Sequence, residues 1–429
     1  MKKLLMLGTS KGSCEMIEYA KSQGIYTIVT DYLSPEESVA KKVSDEYWMI
    51  STGDIDTLVE KCKQEKIDGV CSGISTFCIP ATITLCERLG LQTYCTHEAW
   101  HYTMNKGDFK QLCRECNVPV AHDYFVSNPP TESEIDSIKF PVVVKAVDQS
   151  ANRGMSYCYN RDEIIPAIKY AHSYSHNSNV IIERLLKGVE YTAYYALANG
   201  EASLISLFSD LAQPDTPNNC YAVNSTACDK LDVYLKEVDP YFRDLLKKGG
   251  MTDGVCWIEL IFDEDGHFYV IEMGYRMSGD MMAIPINDVT GFNSYKWMID
   301  IALGVKHTKA DLPLPQTSLY KKCGCAYILW STDTNGEVKN IKGLDYILSF
   351  PGVHLAPNVN IGSKFNAHQY MLTFTFTRDD VEGVIDVIKS INENISVIDT
   401  ADNDVLIRFT DFDVLRRIYN CENTDGKQF

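Results

Sequence analysis

Apolar and polar positions follow two different periods along the first hundred residues. Short apolar runs at 3–7, 26–30 and 69–72 predict strands, and apolar positions at helical spacing predict helices over 13–23, 57–65 and 81–89. Strands that alternate with helices indicate a parallel, Rossmann-like sheet. Two basic residues precede the first apolar run, but Gly8 and Gly12 stop it early, so we interpret it as a first strand and not as a signal peptide.

The pattern changes after residue 104 to longer β runs with fewer helices. Strands are predicted at 142–147, 180–183 and 189–196, helices at 105–116, 239–248 and 290–304, and a tight turn at Asn199-Gly200. A proline-containing, aperiodic stretch at 307–318 predicts a linker. Beyond it, strands at 326–330, 369–377 and 405–409 with a helix at 379–391 predict a small α+β module. We therefore expect domains at 1–104, 105–310 and 319–429.

Two apolar β runs, 255–262 and 268–273, flank an Asp265-Gly266 turn, which is a strong hairpin signal. If these two residues are the central turn residues, Glu259 lies directly opposite Glu272 among apolar neighbours. The same register predicts two further facing pairs, which are Glu264 with His267 and Phe262 with Tyr269. Like charges placed opposite each other destabilise a hairpin, and apolar surroundings strengthen the repulsion.

Three interpretations of this carboxylate pair are open. A bulge or an exposed edge separates the two groups into solvent, or they share one proton, or they bind a cation. Oxygen-only ligands favour Mg²⁺ over zinc. Arg276 follows Glu272 by four residues, after Gly274, and a second flexible loop, Ser278-Gly279-Asp280, comes next. A cation beside an acidic pair suits a site that handles phosphate or a developing oxyanion.

Composition and charge exclude several classes of protein. With 429 residues, 45% of them hydrophobic and 23% charged, the chain is long enough for two to four domains with substantial cores. The net charge of −18 argues against non-specific binding to nucleic acid or anionic membranes. No apolar run reaches membrane-spanning length. The 15 cysteines are odd in number and scattered, which suits reduced thiols in a cytoplasmic protein better than a disulfide framework.

Other candidate motifs are weak when taken singly. The Gly8…Gly12 turn lacks the dinucleotide-binding spacing, and we interpret it as a strand-to-helix turn. The loop 72–76 follows a predicted parallel strand, where ligands gather at the carboxyl end, so Ser75 and Thr76 are candidate substrate contacts. Lys145 among valines needs an anion if it is buried. The polar loop 148–154 either presents backbone N–H groups to phosphate or is an ordinary hairpin connection.

A series of short motifs in fixed order resembles the ATP-grasp superfamily of carboxylate–amine ligases over roughly residues 1–310. The C-terminal module resembles the small closing domain of biotin carboxylase relatives, and the chain as a whole is similar to one ATP-grasp half of the carbamoyl-phosphate synthetase large subunit and to L-amino acid ligases. The motifs that carry the resemblance are Asn105-Lys106; Phe-Pro-Val-Val-Val-Lys145 with the loop 148–154; Val-Ile-Ile-Glu183 through Gly188-Val-Glu190; Ile258-Glu259; and Ile271-Glu272-Met-Gly-Tyr-Arg276.

The resemblance implies an α/β and α+β architecture, with an ATP-grasp fold between the Rossmann-like domain and the C-terminal domain. It implies ATP and Mg²⁺ (or Mn²⁺) as cofactors, a cleft between two lobes, and a mobile lid at about 120–190 within the second domain. The residues it assigns to ATP are Lys106, Lys145, Ser150, Arg153, Gly154, Glu183, Leu186 and Glu190. It assigns Glu259 and Glu272 to the metal and Arg276 to the transferred phosphoryl group. We expect substrate contacts from Ser75, Thr76, Ser278 and Gly279, and a homodimer, as is common in the family.

Two positions depart from the family pattern. Gly274 stands where an asparagine usually follows the second metal glutamate, so a side-chain oxygen ligand is missing and a second Mg²⁺ is held more loosely. The loop 148–154 contains Ala151 and Asn152 where the family has more glycine, which bears on the flexibility of the loop but not on its position.

The function that these features predict is ATP-dependent activation of a small-molecule carboxylate as an acyl phosphate, followed by attack of an amine to form an amide. One alternative is carboxyphosphate chemistry with bicarbonate. Another, of a different class, is a non-catalytic nucleotide-binding or scaffold protein, for which Gly274 would be a sign of decay. The sequence identifies neither the carboxylate nor the amine.

Overall fold

The computed structural model describes residues 1–124, 126–147, 154–175, 180–214, 216, 220–279 and 281–419. The first region is a parallel four-stranded sheet with strand order β3-β2-β1-β4, which confirms the predicted Rossmann-like arrangement. Its elements are β1 (Lys3–Leu7), α1 (Lys11–Ser22), β2 (Tyr26–Thr30), α2 (Val39–Val43), β3 (Glu46–Trp48), α3 (Ile55–Glu65), β4 (Gly69–Cys71), α4 (Ile79–Leu89) and α5 (His97–Met104).

The helices of this region begin where a side chain can cap them. Ser10 accepts a hydrogen bond from the Ser13 N–H at 3.0 Å, so α1 begins at Lys11, two residues before the predicted start. Helix α5, which the apolar pattern did not predict, begins after Thr96, whose hydroxyl accepts the Ala99 N–H at 3.1 Å. Because α5 leads directly into the next helix, it carries the chain towards the candidate site.

The second region forms a small antiparallel sheet with strand order β5-β8-β6-β7. One face of this sheet packs on α8 through a core that includes Val142, Val144, Ile168 and Ile182. We call residues 123–184 the lid sheet. Together with the helix that precedes it, the region contains α6 (Lys106–Glu115), β5 (Asp123–Tyr124), α7 (Glu132–Asp136), β6 (Val142–Ala146), β7 (Ser156–Cys158), α8 (Ile164–Tyr174) and β8 (Val180–Arg184).

A nine-stranded sheet forms the body of the molecule, with β13-β12-β9-β10-β11 at one end. Strands β9 and β10 meet at the predicted Asn199-Gly200 turn, where Ala198 pairs with Glu201. The helix predicted over 290–304 is confirmed as α12, but it begins only at Ser294, because Gly291 at φ 76° ends the preceding helix and Asn293 caps this one. The elements are β9 (Gly188–Ala198), β10 (Glu201–Ala212), β11 (Tyr221–Ser225), α9 (Leu231–Glu237), α10 (Asp239–Lys248), β12 (Gly254–Asp263), β13 (Phe268–Gly274), α11 (Ala283–Thr290) and α12 (Ser294–Ala302).

The C-terminal region continues the same sheet through β14, β18 and β16, and it also builds a small three-stranded sheet with the order β17-β15-β19. Strand β14 pairs with β11 on one side and with β18 on the other, and β16 closes the edge. The predicted strand at 405–409 is shorter than expected, because only two of its residues pair with β14. The elements are β14 (Cys323–Ser331), β15 (Gly336–Lys342), α13 (Leu344–Leu348), β16 (His354–Pro357), β17 (Lys364–Phe365), β18 (Tyr370–Arg378), α14 (Val381–Asn394), β19 (Ser396–Asp399), β20 (Leu406–Ile407) and α15 (Phe412–Tyr419).

The β12–β13 hairpin reaches the predicted pairing of Glu259 with Glu272 by a different route. Near the turn Phe262 pairs with Phe268, so the predicted pairs of Phe262 with Tyr269 and of Glu264 with His267 are wrong. The Asp263 N–H donates to the His267 carbonyl at 3.0 Å, which makes the turn one residue longer than predicted. A bulge between Glu259 and Leu260 then restores the register, and Glu259 stands opposite Glu272.

None of the helices in the described ranges is long and apolar enough to cross a membrane. Fourteen free cysteines lie in these ranges, and thirteen of them are buried. Cys113 and Cys116 are both buried against the body core, so their CxxC spacing is part of the packing of α6.

Candidate functional site

Four carboxylates gather on one face of the body sheet. Glu259 pairs with Glu272 on one side and with Thr192 on the other, and residues directly opposite each other in a sheet share a face. Glu190 lies two positions before Thr192 on β9 and pairs with Asp210 of β10. Asp210 is only 5% exposed and accepts a hydrogen bond from the Thr192 hydroxyl at 2.8 Å. The sheet therefore presents a continuous acidic surface around Glu259.

The charges of this surface act most strongly on Glu259. Burial raises the pKa of Glu259 well above its ordinary value, and the carboxylates of Glu272, Glu190 and Asp210 raise it further. Glu272 behaves differently: burial acts to raise its pKa, but Lys106, Lys145 and Arg276 together hold the pKa below its ordinary value. The surroundings therefore favour the charged form of Glu272 and disfavour the charged form of Glu259. A bound cation would stabilise the charged form of Glu259.

Lys106 supplies the nearest positive charge to the pair. It is the first residue of α6, whose N-cap Asn105 accepts the Asp108 N–H at 3.1 Å. Its Nζ lies 2.9 Å from Glu272 Oε2. Burial acts to lower the pKa of Lys106, but Glu272, Glu259 and Glu183 together raise it, so the ammonium is retained. Lys106 thus contacts Glu272 of the hairpin, although the two residues are far apart in sequence.

Lys145 of the lid sheet lies near Lys106 and is held there by Glu183. Val143 and Glu183 pair across β6 and β8, which places Lys145 and Glu183 on the same face. Glu183 accepts hydrogen bonds from both Lys145 and Lys110, and Lys110 also bonds Asp123. The buried lysine that the sequence required to be paired is therefore paired, and Glu183 positions it.

The two lysines lower the pKa of Glu183. Burial would raise it, but Lys145 and Lys110 lower it to about 2. Lys145 itself has a lowered pKa because burial and the neighbouring Lys106 and Lys110 outweigh its attraction to Glu183. Within the described residues, sequence analysis missed Lys110 and Asp123, although a lysine between the buried Phe109 and Leu112 on α6 was a usable signal.

We expect the contribution of Glu183 to stability to vanish in acid. Its pKa is lower in the folded chain than the unfolded value of about 4.3, so the stabilisation is present above that pH and is lost as the pH falls towards 2. Chemical denaturation of the parent and of Glu183→Gln between pH 7 and pH 2 measures this. The difference in unfolding free energy should be constant down to about pH 4.5 and should then close. A difference that stays constant to pH 2 would contradict the ion pairing.

The connector between the lid sheet and β9 is fixed at several points. The Arg184 N–H donates to the His122 carbonyl at 2.9 Å and the Leu185 N–H to the Pro141 carbonyl at 3.1 Å. On the body side, the Lys187 N–H donates to Asp263 at 2.6 Å. Leu186 lies half-buried within this connector. Across the cleft, Tyr157 of β7 is close enough to Glu190 for that carboxylate to raise the pKa of the phenol, after the larger effect of burial.

Arg276 joins the acidic surface to the N-terminal region. Its Nε donates to the Thr76 hydroxyl at 2.9 Å, and its Nη1 donates to the Met277 carbonyl at 2.7 Å. Ser278 is buried, and a Cβ added to Gly279 would stand 3.9 Å from Ile74 of the same N-terminal loop. The two predicted substrate segments, around Ser75 and Thr76 and around Ser278 and Gly279, are therefore brought together next to Arg276.

Two of the predicted nucleotide contacts, Ser150 and Arg153, lie outside the described residues, as does Asp280. Gly154 is described and has φ 70°, and a Cβ there would stand 3.0 Å from Tyr174 of α8. Glycine is therefore required at the end of the loop 148–154 both by the backbone conformation and by the packing.

The residues of this site fit a divalent cation such as Mg²⁺ together with an anionic ligand. The donors are hard carboxylate oxygens, and burial together with the neighbouring carboxylates disfavours the charged form of Glu259 by raising its pKa. Within the described ranges, no group of three or more His, Cys, Asp or Glu side chains is arranged to hold a metal. The ligand set would therefore be completed by oxygens of a bound phosphate and by water, which is typical of Mg²⁺.

Comparison with known proteins identifies the central part of this fold. Residues 138–284 match the family model of the ATP-grasp domain. The 2-oxoglutarate carboxylase small subunit of Hydrogenobacter thermophilus is 22% identical over 338 residues, which cover 72% of this chain and 69% of that protein. The formate-dependent phosphoribosylglycinamide formyltransferase of Sulfurisphaera tokodaii is 27% identical over 190 residues, covering 43% of this chain and 47% of that protein. The chain thus matches about half the length of this second relative.

Solved structures extend the likeness to the whole chain. The L-amino acid ligase from Bacillus licheniformis superposes with a TM-score of 0.74 at 17% identity, covering 93% of this chain and 99% of that one. The biotin carboxylase domain dimer of Hydrogenobacter thermophilus 2-oxoglutarate carboxylase, solved with MgADP, ADP and bicarbonate, superposes with a TM-score of 0.76 at 17% identity, covering 99% and 95%. These likenesses show the fold. Residues 138–284 therefore match an ATP-grasp domain, and the chain has the fold of the ATP-grasp structures that it resembles.

Proposed function

We propose that this chain is an ATP-dependent, ADP-forming ligase that joins a small-molecule carboxylate to an amine. The observation that carries the proposal is the meeting of the Glu259–Glu272 pair with Lys106, Lys145 and Arg276 in one cleft. Acidic groups that bind a cation, with basic groups that bind phosphate, form the electrostatic apparatus of phosphoryl transfer. Mg²⁺ bound there would neutralise charge on the phosphates of ATP.

The roles that we propose follow the family resemblance, and the positions of the described side chains support them. Lys106 and Lys145 contact phosphate oxygens, and Glu183 positions Lys145 through the ion pair. Ser150, Arg153 and Gly154 belong to a loop that covers the phosphates. Leu186, with the backbone of the connector after Glu183, lines the adenine site, and Glu190 accepts hydrogen bonds from the ribose hydroxyls. Glu259 and Glu272 hold the metal. The proposed substrate contacts are Ser75, Thr76, Ser278 and Gly279, and Arg276 contacts the transferred phosphoryl group.

The proposed reaction has two steps. A carboxylate oxygen of the substrate attacks the γ-phosphorus of ATP, the bond to the β-phosphate oxygen breaks, and ADP leaves with its negative charge. The amine nitrogen then attacks the acyl carbon, phosphate departs, and the nitrogen loses a proton to water. Arg276 is placed to steady the transferred phosphoryl group, because it reaches from the acidic surface to Thr76. Closure of the lid sheet excludes water from the reactive anhydride.

A second candidate is the formation of carboxyphosphate from bicarbonate. It is favoured by the likeness to a biotin carboxylase domain solved with bicarbonate. The chemistry of activation is the same, but the carboxylate is an inorganic ion. A non-catalytic nucleotide-binding role is less well supported, because Glu259, Glu272, Lys106, Lys145 and Arg276 are all retained and placed together.

An ADP-release screen tests the proposal and separates the two candidates. The chain is incubated with MgATP and with pairs of amino acids, sugar acids and small amines, each with and without bicarbonate. We expect ADP release that depends on one carboxylate–amine pair and not on bicarbonate. Release that requires bicarbonate alone would support the second candidate. Binding of MgATP without turnover under every condition would contradict the ligase proposal.

We also propose the domain division 1–104, 105–310 and 319–429, a cytoplasmic location and a homodimer. The cytoplasmic location is supported by the buried, free cysteines of the described ranges. The homodimer is supported by the dimer named for the Hydrogenobacter domain. Light scattering of the purified chain tests the assembly, and a monomer at micromolar concentration would contradict it.

A further inference from the structure

Trp257 and Gly274 form a pair at the inner end of the β12–β13 hairpin. They lie directly opposite each other, one pair beyond Ile258–Met273 and two beyond Glu259–Glu272, so they share the face of the two glutamates. The φ angle of Gly274 lies outside the left-handed range, so its backbone does not require glycine. A Cβ at Gly274 would instead stand 2.6 Å from the indole nitrogen of Trp257. The indole therefore occupies the space that a side chain at 274 would need.

Arg276 packs on the face of the same indole ring. The guanidinium carbon of Arg276 lies 5.1 Å from the centre of the Trp257 ring, which is within the range of a cation–π contact. Arg276 is also the residue that reaches Thr76 in the N-terminal loop. The ring thus supports the one arginine that connects the acidic surface to the proposed substrate segments.

The N–H of this indole is a donor with no hydrogen-bond acceptor among the described residues. Trp257 is 7% exposed and its Nε1 is shielded from solvent. A buried donor that lacks an acceptor costs about 1–3 kcal/mol, so such groups are rare in folded proteins. The edge of the ring that bears this N–H is the edge that lies on Gly274, next to the glutamate pair. An oxygen acceptor supplied by a ligand would satisfy it.

We propose that Trp257 is an anion-positioning residue of this site. Its ring fixes Arg276, and its indole N–H donates to an oxygen of the oxyanion that Arg276 holds, either the phosphoryl group or the product phosphate. Gly274 replaces a potential metal-ligating side chain so that the indole can take this place. The inference rests on the proposed function, because it assumes that a phosphoryl group passes next to Arg276.

Calorimetric titration of inorganic phosphate into the protein with saturating MgADP tests this inference. Trp257→Phe retains an aromatic ring under Arg276 but removes the donor, and we expect it to weaken the phosphate affinity about tenfold. Gly274→Ala retains the tryptophan but displaces it, and should weaken phosphate to a similar degree. The matched control is Trp330→Phe, since Trp330 donates to the Tyr221 carbonyl at 2.7 Å in the C-terminal region. All variants should bind MgADP like the parent.

The outcomes separate the inference from the proposed function. If the parent does not bind MgADP, the proposed function fails. If the parent binds MgADP and phosphate but Trp257→Phe binds phosphate equally well, the inference is overturned while the ligase proposal stands. If the parent binds MgADP without any phosphate binding, the inference is also overturned. Thermal unfolding of each variant verifies that it is folded, and Gly274→Ala supplies the test if Trp257→Phe is not.

Discussion

Replacing Glu272 by glutamine is expected to lower ATP-dependent ADP release by about 10³-fold, with the fold retained. The change keeps the volume and the pairing position of the side chain but removes the charge that Lys106 and the proposed cation share. The remaining Glu259 offers a single carboxylate of the pair to the proposed cation, and its burial disfavours the charged form by raising its pKa. The measurement is the initial rate of ADP formation at saturating MgATP with the carboxylate–amine pair identified by the screen.

Glu264→Gln is the matched control for this experiment. Glu264 lies in the turn of the same hairpin, and its side chain is exposed to solvent. The substitution makes the same change in net charge on the same structural element, so it should leave the rate within about twofold. Equal rates for Glu272→Gln and the parent would remove the metal role from the hairpin. Loss of thermal stability in Glu272→Gln would indicate a structural role instead.

Glu183→Gln is expected to have the largest effect on stability, a loss of about 3–5 kcal/mol in unfolding free energy at neutral pH. Glu183 lies between Lys110 and Lys145, both of which are buried. Without the carboxylate, two ammonium groups face each other in a region of low dielectric, with Asp123 compensating only Lys110. We also expect loss of ATP turnover, because Lys145 is no longer held in the cleft.

The control for this substitution is Glu132→Gln, which breaks an ion pair with Arg161 on the surface of the same lid region. The Glu132 side chain is 83% exposed, so its removal should change the unfolding free energy by less than about 1 kcal/mol. Urea denaturation of the parent and the two variants measures the difference. Equal losses for the two variants would show that burial of the Glu183 network contributes nothing.

The hairpin shows how far sequence could predict this site. Alternating apolar residues and an Asp-Gly turn were enough to predict that Glu259 faces Glu272, and the structure has that pair. The predicted turn was wrong by one residue, and a bulge corrected the error. The apolar pattern could not predict the bulge, because a bulge shifts the register without changing which residues are hydrophobic. The prediction of the pair was therefore right, although the predicted geometry of the turn was not.

Residues that act through long-range contacts were the hardest to predict. Asp210 lies in a run of apolar residues on β10, and only the pairing of β10 with β9 places it beside Glu190. Lys110 and Asp123 become significant only when α6 packs on the lid sheet. Trp257 is one of the apolar residues near Glu259 in the sequence, and its contact with Gly274 could not be predicted, because the sequence gives no measure of the space over that glycine. The first sheet was easier to predict, because most of its strands and helices have clear apolar periods, although the short α2 and β3 were not predicted.

The continuity of the body sheet limits how the protein can be dissected. A fragment that ended at residue 318 would keep the whole acidic surface but would lack β14. Val223, Asn224 and Ser225 of β11, which pair with β14, would then have an unpaired edge. Unpaired backbone donors and acceptors at a sheet edge can pair with other chains, so the shortened protein should aggregate in solution. The C-terminal residues therefore protect the sheet edge of the part that carries the acidic surface, even though they contribute none of the proposed ligands.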